Sequence, residues 1–282
     1  MQIQHLRNAT TLITLGQERL LLDPMLSDAG ALPGFKFVGG GRRRNPLTSL
    51  PREADAALQS ATGVIVTHEH LDHFDAAGLR WIRAHNLPVW TNGIDLPSLR
   101  KKGLDAHLLE TGVLGLQVET VRSRHGIGVL GWMLGPVAGY FLAHPDEPSL
   151  YITGDSILTE SVLEAIRRLQ PDIILAPAGS ANMGIGGDIL FSLEELVTIA
   201  RTAHGKLVFN HMEALDHCPT TRAMLKERMR AEGLLERVFI PNDGETLTFT
   251  QSAPAKSIAP TKKPDTEVPG MQKWMTSFFA GT

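Results

Sequence analysis

The chain has a single cysteine, Cys218, in 282 residues, so no intrachain disulfide can form. That fits a reducing compartment. Excess charge of either sign is also missing: 27 Lys and Arg stand against 30 Asp and Glu, a formal net charge of −3. Such a balance gives no whole-molecule attraction to nucleic acid or to an anionic membrane. No apolar run reaches the ~18 residues that a membrane span needs. The opening Met1-Gln-Ile-Gln-His lacks the basic-then-apolar pattern of a signal peptide. No internal repeat is present. The expectation is a cytoplasmic protein with a small-molecule substrate, without a nucleic-acid partner and without membrane contact.

What is present supports a sizeable core, since 43% of the residues are hydrophobic. Three short β-like stretches open the chain, around Ile3–Leu6, Thr11–Leu15 and Arg19–Leu22, with a tight turn at Gly16-Gln-Glu18. A Gly- and Pro-rich loop over 27–52 carries Arg42-Arg-Arg44. From residue 60 strands and helices alternate. Strand-like runs are Val64–Thr67, Pro88–Thr91, Gly115–Val121, Gly139–Ala143, Leu150–Thr153, Asp172–Ala176, Lys206–Phe209 and Val238–Ile240. Apolar spacing predicts helices over 159–169, 192–203 and 220–232, the second with a Ser192/Glu195 capping box. After Phe249 the composition turns to Pro, Lys, Ser and Thr. Residues 251–282 therefore read as a linker and a short amphipathic tail carrying Met271, Trp274, Met275, Phe278 and Phe279, separate from a catalytic domain over 1–250.

The chemistry concentrates at Thr67-His-Glu-His-Leu-Asp-His-Phe-Asp75. His68, His70, Asp72 and His73 are four good divalent-metal ligands within six positions, at the end of the apolar run Gly63–Val66. Three other strand-like runs also end on a ligand type, at His125, Asp155 and His211. Ends of neighbouring strands lie side by side, so these residues can converge. Seven ligands suit two metals sharing one carboxylate.

His68-Glu-His70-Leu-Asp72-His73, together with the spacing to His125, Asp155 and His211, resembles the metallo-β-lactamase superfamily of metal-dependent hydrolases. The resemblance covers roughly 1–250. It implies an α/β (α+β) fold, a four-layer αββα sandwich with the site at one edge of its two sheets. It further implies one metal on His68, His70 and His125, a second on Asp72, His73 and His211, and Asp155 bridging them. The opening meander, the Asp23-Pro24 turn and Phe209-Asn-His-Met-Glu213 are similar to the branch containing ascorbate-6-phosphate lactonase. Many relatives are dimers or larger, which makes the tail a candidate assembly element of a homo-oligomer.

Two divalent ions, zinc in the first place, with manganese and iron accepting the same ligands, would supply a bridging hydroxide at neutral pH. The expected reaction is hydrolysis of a small, anionic ester or lactone, with Asp72 orienting the water and Asp155 holding the cations together. A phosphodiesterase, on a lipid-like substrate among others, uses the same site. A non-catalytic metal-binding module is the third reading. Arg43 and Arg124 are the candidate anion contacts, with Arg42, Arg44 and Arg122 beside them. The Gly-rich loop 178–187 lacks the Gly-Lys-Ser/Thr ending of a P-loop and offers Asn182 and Met183 as pocket contacts. Glu213 and His217, with Asp216, are candidate acceptors for the free N–H of metal-bound histidines. Glu69 is expected to point away, and Cys218 to be a small buried hydrophobe. His5, His85, His107, His144 and His204 read as structural or surface residues.

Overall fold

Alternation of apolar side chains along the strands decides the architecture in the computed structural model, which describes residues 1–38 and 40–251. In a strand, successive side chains face opposite sides. Strands β1 (Gln2–Arg7), β2 (Thr10–Leu15) and β3 (Glu18–Leu22) form the opening antiparallel meander. Strands β4 (Gly63–Val66), β5 (Val89–Thr91) and β6 (Ala106–Leu108) add to β3 in parallel, and the last strand, β13 (Thr246–Thr248), closes the edge beside β1. The second sheet runs β7 (Gln117–Arg124), β8 (Pro136–Ala143), β9 (Leu150–Ile152), β10 (Ile173–Pro177), β11 (Lys206–Asn210) and β12 (Val238–Phe239). Its strands β9 to β12 are parallel.

Three apolar interfaces separate four layers. Ile13, Leu20, Leu22 and Ile65 of the first sheet meet Tyr140, Ile152, Leu175 and Val208 of the second. On the other face of the first sheet, Leu12, Leu21, Val64 and Val66 pack beneath helices α1 (Ala54–Ser60), α2 (Ala76–His85) and α3 (Leu96–Lys101). Tyr151, Ile174, Leu207 and Phe209 of the second sheet support α5 (Glu160–Leu169), α6 (Leu193–Thr202) and α7 (Arg222–Ala231). The short α4 (Gly128–Leu134) follows β7. This is the αββα sandwich of the metallo-β-lactamase fold.

Local capping sets the helix ends. Ser192 and Glu195 form the reciprocal capping box that starts α6. The helix expected from Thr220 starts at Arg222, because the Thr221 side chain accepts from Met224 N–H at 3.2 Å and so takes the cap position. Helices α1 to α4 and strands β6 and β13 are additions to the sequence reading. The expected linker and tail, apart from Gln251, lie outside the described residues, and so does the assembly role assigned to them.

The long 27–52 loop is anchored from below and beside. Arg7 is fully buried, and its guanidinium donates to the carbonyls of Thr48, Met25 and Ser27 at 2.8–3.0 Å. The Asp216 carboxylate accepts from the backbone N–H of Phe35, Lys36 and Arg43 and from the Asn45 amide.

Candidate metal centre

Four strand ends build the centre. His68 stands two residues past β4, His125 directly past β7, Asp155 three past β9 and His211 directly past β11. Asn8, at the turn between β1 and β2, ties two of these segments together. Its amide donates to the Asp72 carbonyl (2.8 Å), and its own carbonyl accepts from His211 N–H (2.8 Å). Gly154 precedes Asp155 at φ +62°, and a Cβ there would stand 2.7 Å from the Ala138 carbonyl oxygen. Only glycine fits that turn without strain.

The structure brings all seven side chains into two adjoining groups. His68, His70 and His125 form one, and Asp72, His73, Asp155 and His211 the other. Within each group the candidate ligand atoms lie within 4.8 Å of one another. Asp155 Oδ2 is 3.0 Å from His73 Nε2, 3.6 Å from His211 Nε2 and 3.6 Å from His125 Nε2, so its carboxylate faces both groups. Asp72 Oδ2 lies 3.4 Å from His211 Nε2.

The neighbours of each imidazole decide which nitrogen keeps a lone pair. A carbonyl only accepts, so His125 Nδ1 donates to Ile189 O (2.7 Å) and His70 Nε2 to Leu134 O (3.1 Å). Thr67 gives its hydroxyl proton to Asp23 Oδ2 (2.8 Å) and therefore accepts from His68 Nδ1 (3.0 Å). Asp23 Oδ2 also accepts from His73 Nδ1 at 2.8 Å. Cys218 Sγ lies 3.5 Å from His211 Nδ1. The inward atoms are then His68 Nε2, His70 Nδ1, His125 Nε2, His73 Nε2 and His211 Nε2. Among them, His68 Nε2 is buried with no partner, and His73 Nε2 and His211 Nε2 face carboxylate oxygens without a well-directed hydrogen bond. Buried nitrogens left in this way, beside two buried carboxylates, fit divalent cations.

Protonation without metal follows the same geometry. Burial disfavours the charged form of His73, but Asp155 and Asp23 outweigh it and raise its pKa to about 10. His211 is likewise raised, its burial outweighed by the neighbouring Asp155 carboxylate and Cys218 sulfur, with the Asp72 carboxylate adding to them. Burial opposes ionisation of Asp155, yet the His73 and His211 charges hold it far below the usual carboxylate range. Burial, with the neighbouring His73 and His70 charges, pushes His68 well down.

A family model described as a β-lactamase superfamily domain matches residues 18–212. The chain belongs to the β-lactamase superfamily. It is a metal-dependent hydrolase of that superfamily, with the metallo-β-lactamase fold. The UPF0173 protein YddR of Bacillus subtilis (strain 168) is 31% identical over 254 residues, 88% of this chain and all of that protein, which places the chain in the same UPF0173 group. An isothiocyanate hydrolase from Delia radicum gut bacteria has a similar structure, with a TM-score of 0.81 and 29% identity over 89% of this chain and 100% of that one. So does a possible metal-dependent hydrolase from Veillonella parvula DSM 2008, with a TM-score of 0.81 and 28% identity over 88% of this chain and 99% of that one.

Around the centre of this β-lactamase superfamily member, several expected contacts fall elsewhere. Among the described residues Glu213 makes no hydrogen bond to a ligand histidine. Its carboxylate accepts from the Arg222 backbone N–H and guanidinium (2.9 and 2.6 Å), which fixes the start of α7. His217 accepts from no ligand histidine either. It is buried edge-on against Phe35, with Nε2 3.8 Å from Asp72 Oδ2, and burial lowers its pKa to about 4. Arg43 and Arg124 are exposed, and their guanidinium groups have no polar partner among the described residues. Arg124 lines a cleft of about 320 Å³ with Ile127 and Trp132. Arg42 and Arg44 donate to carbonyls of their own loop. Asn182 turns its side-chain oxygen to Gly184 N–H, and Met183 uses its carbonyl to accept from Phe37 N–H. Glu69 points away, to Ser98 and Lys102. The contacts absent from the sequence reading are Asp23, Thr67, the Leu134 and Ile189 carbonyls, and Cys218 as a neighbour of His211.

Proposed function

We propose that this hydrolase works with two divalent cations, one held by His68, His70 and His125, the other by Asp72, His73 and His211, with Asp155 between them. The observation that carries the reading is the single Asp155 carboxylate facing inward nitrogens of both groups. Nitrogen and carboxylate donors without a thiolate suit zinc, and manganese or iron accept the same set. Bound there, such ions supply an activated water at neutral pH and a Lewis acid for the bond to be cleaved. The chain's own residues do the rest. Asp155 keeps both ligand groups in one frame, and Asp72 turns an oxygen into the space beside His211 to orient the attacking water. Asp23 locks His68, through Thr67, and His73 with their Nε2 lone pairs inward.

A carbon electrophile of carbonyl type fits this frame: a carboxylic ester or lactone, as in the lactonase-type branch, or an isothiocyanate, the substrate in the name of the 29% identical neighbour. Arg43 and Arg124, exposed and without a polar partner among the described residues, are free to contact an anionic substituent of such a substrate.

The test is elemental analysis of untagged protein with Asp155→Ala in parallel, followed by turnover of a lactone, p-nitrophenyl acetate, 2-phenylethyl isothiocyanate and bis-p-nitrophenyl phosphate. The expected result is about two metal equivalents per chain, fewer in the variant. At least one carbon electrophile is expected to turn over, with kcat down roughly 100-fold or more in the variant. One equivalent or none after reconstitution would overturn the two-metal reading. Turnover of the phosphodiester alone would overturn the substrate class.

A further inference from the structure

Around the ligand groups large apolar side chains face water in unusual number, beside the exposed Arg124 and Asp188. Eleven large hydrophobic side chains are exposed among the described residues, and eight of them lie on four segments beside the ligands. Two are in 34–38, one is inside the His-x-His-x-Asp-His motif, four are in 127–133 and one is in 183–187. The densest segment is α4. Its Leu130 and Leu134 pack inward with Met25, Ile189 and Leu215. Val129, Trp132 and Met133 face outward, 75%, 62% and 65% exposed. A surface helix normally turns charged residues to water. This one has none to turn, because residues 126–143 contain no charged side chain.

The four segments form one rim. Gly186 packs on α4, where a Cβ would stand 3.1 Å from Leu130 Cδ2. Gly184 lies directly against Val38, and Phe37 N–H donates to Met183 O at 3.0 Å. The rim is also bonded to the ligands themselves. Leu134 O accepts from His70, Ile189 O accepts from His125, and half-exposed Leu71 sits between His70 and Asp72 in the chain. The chain that carries the rim thus borders His70 and His125 of the first ligand group.

We infer that the rim binds an apolar substituent of the substrate, so the substrate is a small electrophile carrying an alkyl or arylalkyl group. The inference rests on the hydrolase reading above and narrows its substrate class. Two observations favour a small molecule over a lipid surface. The rim is hydrogen-bonded to the ligand histidines, and the chain's net charge of −3 lacks the basic excess that draws a protein to anionic membranes.

The experiment uses the metal-loaded full chain and n-alkyl hydroxamates, from acetohydroxamate to octanohydroxamate, as metal-directed probes measured by calorimetry. Binding is expected to tighten by about fourfold for each methylene that the rim covers. Trp132→Ala combined with Met133→Ala should bring that gain below about twofold per methylene, with acetohydroxamate affinity unchanged. Both side chains are largely exposed, so the variant keeps its core. Acetohydroxamate binding with no dependence on chain length would overturn the rim and leave the hydrolase reading standing. No hydroxamate binding by protein that carries its metals would overturn the hydrolase reading and this inference with it. Pelleting with phosphatidylcholine vesicles, or dimerisation in sedimentation, lost in the double variant, would give the rim another occupant and overturn the inference.

Discussion

Asp23 is the residue on which the two ligand groups depend from outside. One carboxylate oxygen takes the Thr67 hydroxyl and His73 Nδ1, and the other takes Thr67 N–H at 2.7 Å. Removing it frees both imidazoles to rotate or to present the wrong tautomer. Asp23→Ala is expected to weaken metal binding about 10–100-fold while far-UV circular dichroism stays that of the native protein. Competition with a chromophoric chelator measures this, and unchanged affinity would show that packing alone orients His68 and His73. The seven candidate ligands were legible from the chain because their residue types and their place after strands both point to metal. Asp23 carries no such mark, since Asp before Pro24 reads equally as a turn. The Leu134 and Ile189 carbonyls carry none at all, because a main-chain acceptor is independent of residue type. Glu213 shows how little sequence neighbourhood decides: with left-handed backbone at His211 and Glu213 (φ +57° and +60°), its carboxylate accepts from Arg222.

At the scale of elements, the centre depends on turns that release the chain at the ends of strands. Gly154 is the clearest, with both a left-handed φ and no room for a Cβ beside Ala138 O. Gly154→Ala is expected to cost about 1–3 kcal/mol of stability, because strain in φ and steric overlap add. It should also lower metal content, since Asp155 is the next residue. Denaturant unfolding and elemental analysis on the same preparation check both. A stability loss with full metal content would show that β9 absorbs the shift. The parallel strands and the helices α5, α6 and α7 were readable because their periodicity is regular and their caps are Thr or Ser. Helix α4 was not, because with apolar residues on both its faces it shows no amphipathic period. The short α1 and α3 escaped for want of length, at seven and six residues.

The whole molecule combines these buried groups into a stability that depends on pH from both sides. His5, which belongs to neither ligand group, is buried with Asp243 at 3.3 Å and Arg222 at 3.2 Å, and burial lowers its pKa. His68 and His217 are lowered for the same leading reason, His217 to about 4. A lowered imidazole pKa means that the unfolded chain takes up a proton which the folded chain refuses. Stability therefore falls as pH drops below about 6.5, by up to about 1.4 kcal/mol per pH unit for each such group. His73 and His211 act in the opposite sense. Their raised pKa values contribute stability that is complete below about 6.5 and is lost as pH climbs, for His73 through about 10. Metal-free protein is thus expected to be most stable near neutrality, losing stability toward pH 5 and toward pH 9. Bound cations would take the place of the protons on His73 and His211 and flatten the alkaline side. Urea unfolding across pH 5 to 9, with and without metal, gives both profiles. His5→Gln should soften only the acid limb, because His5 lies outside the ligand groups. An alkaline limb that is equally steep with metal bound would mean that His73 and His211 are not where the cations sit.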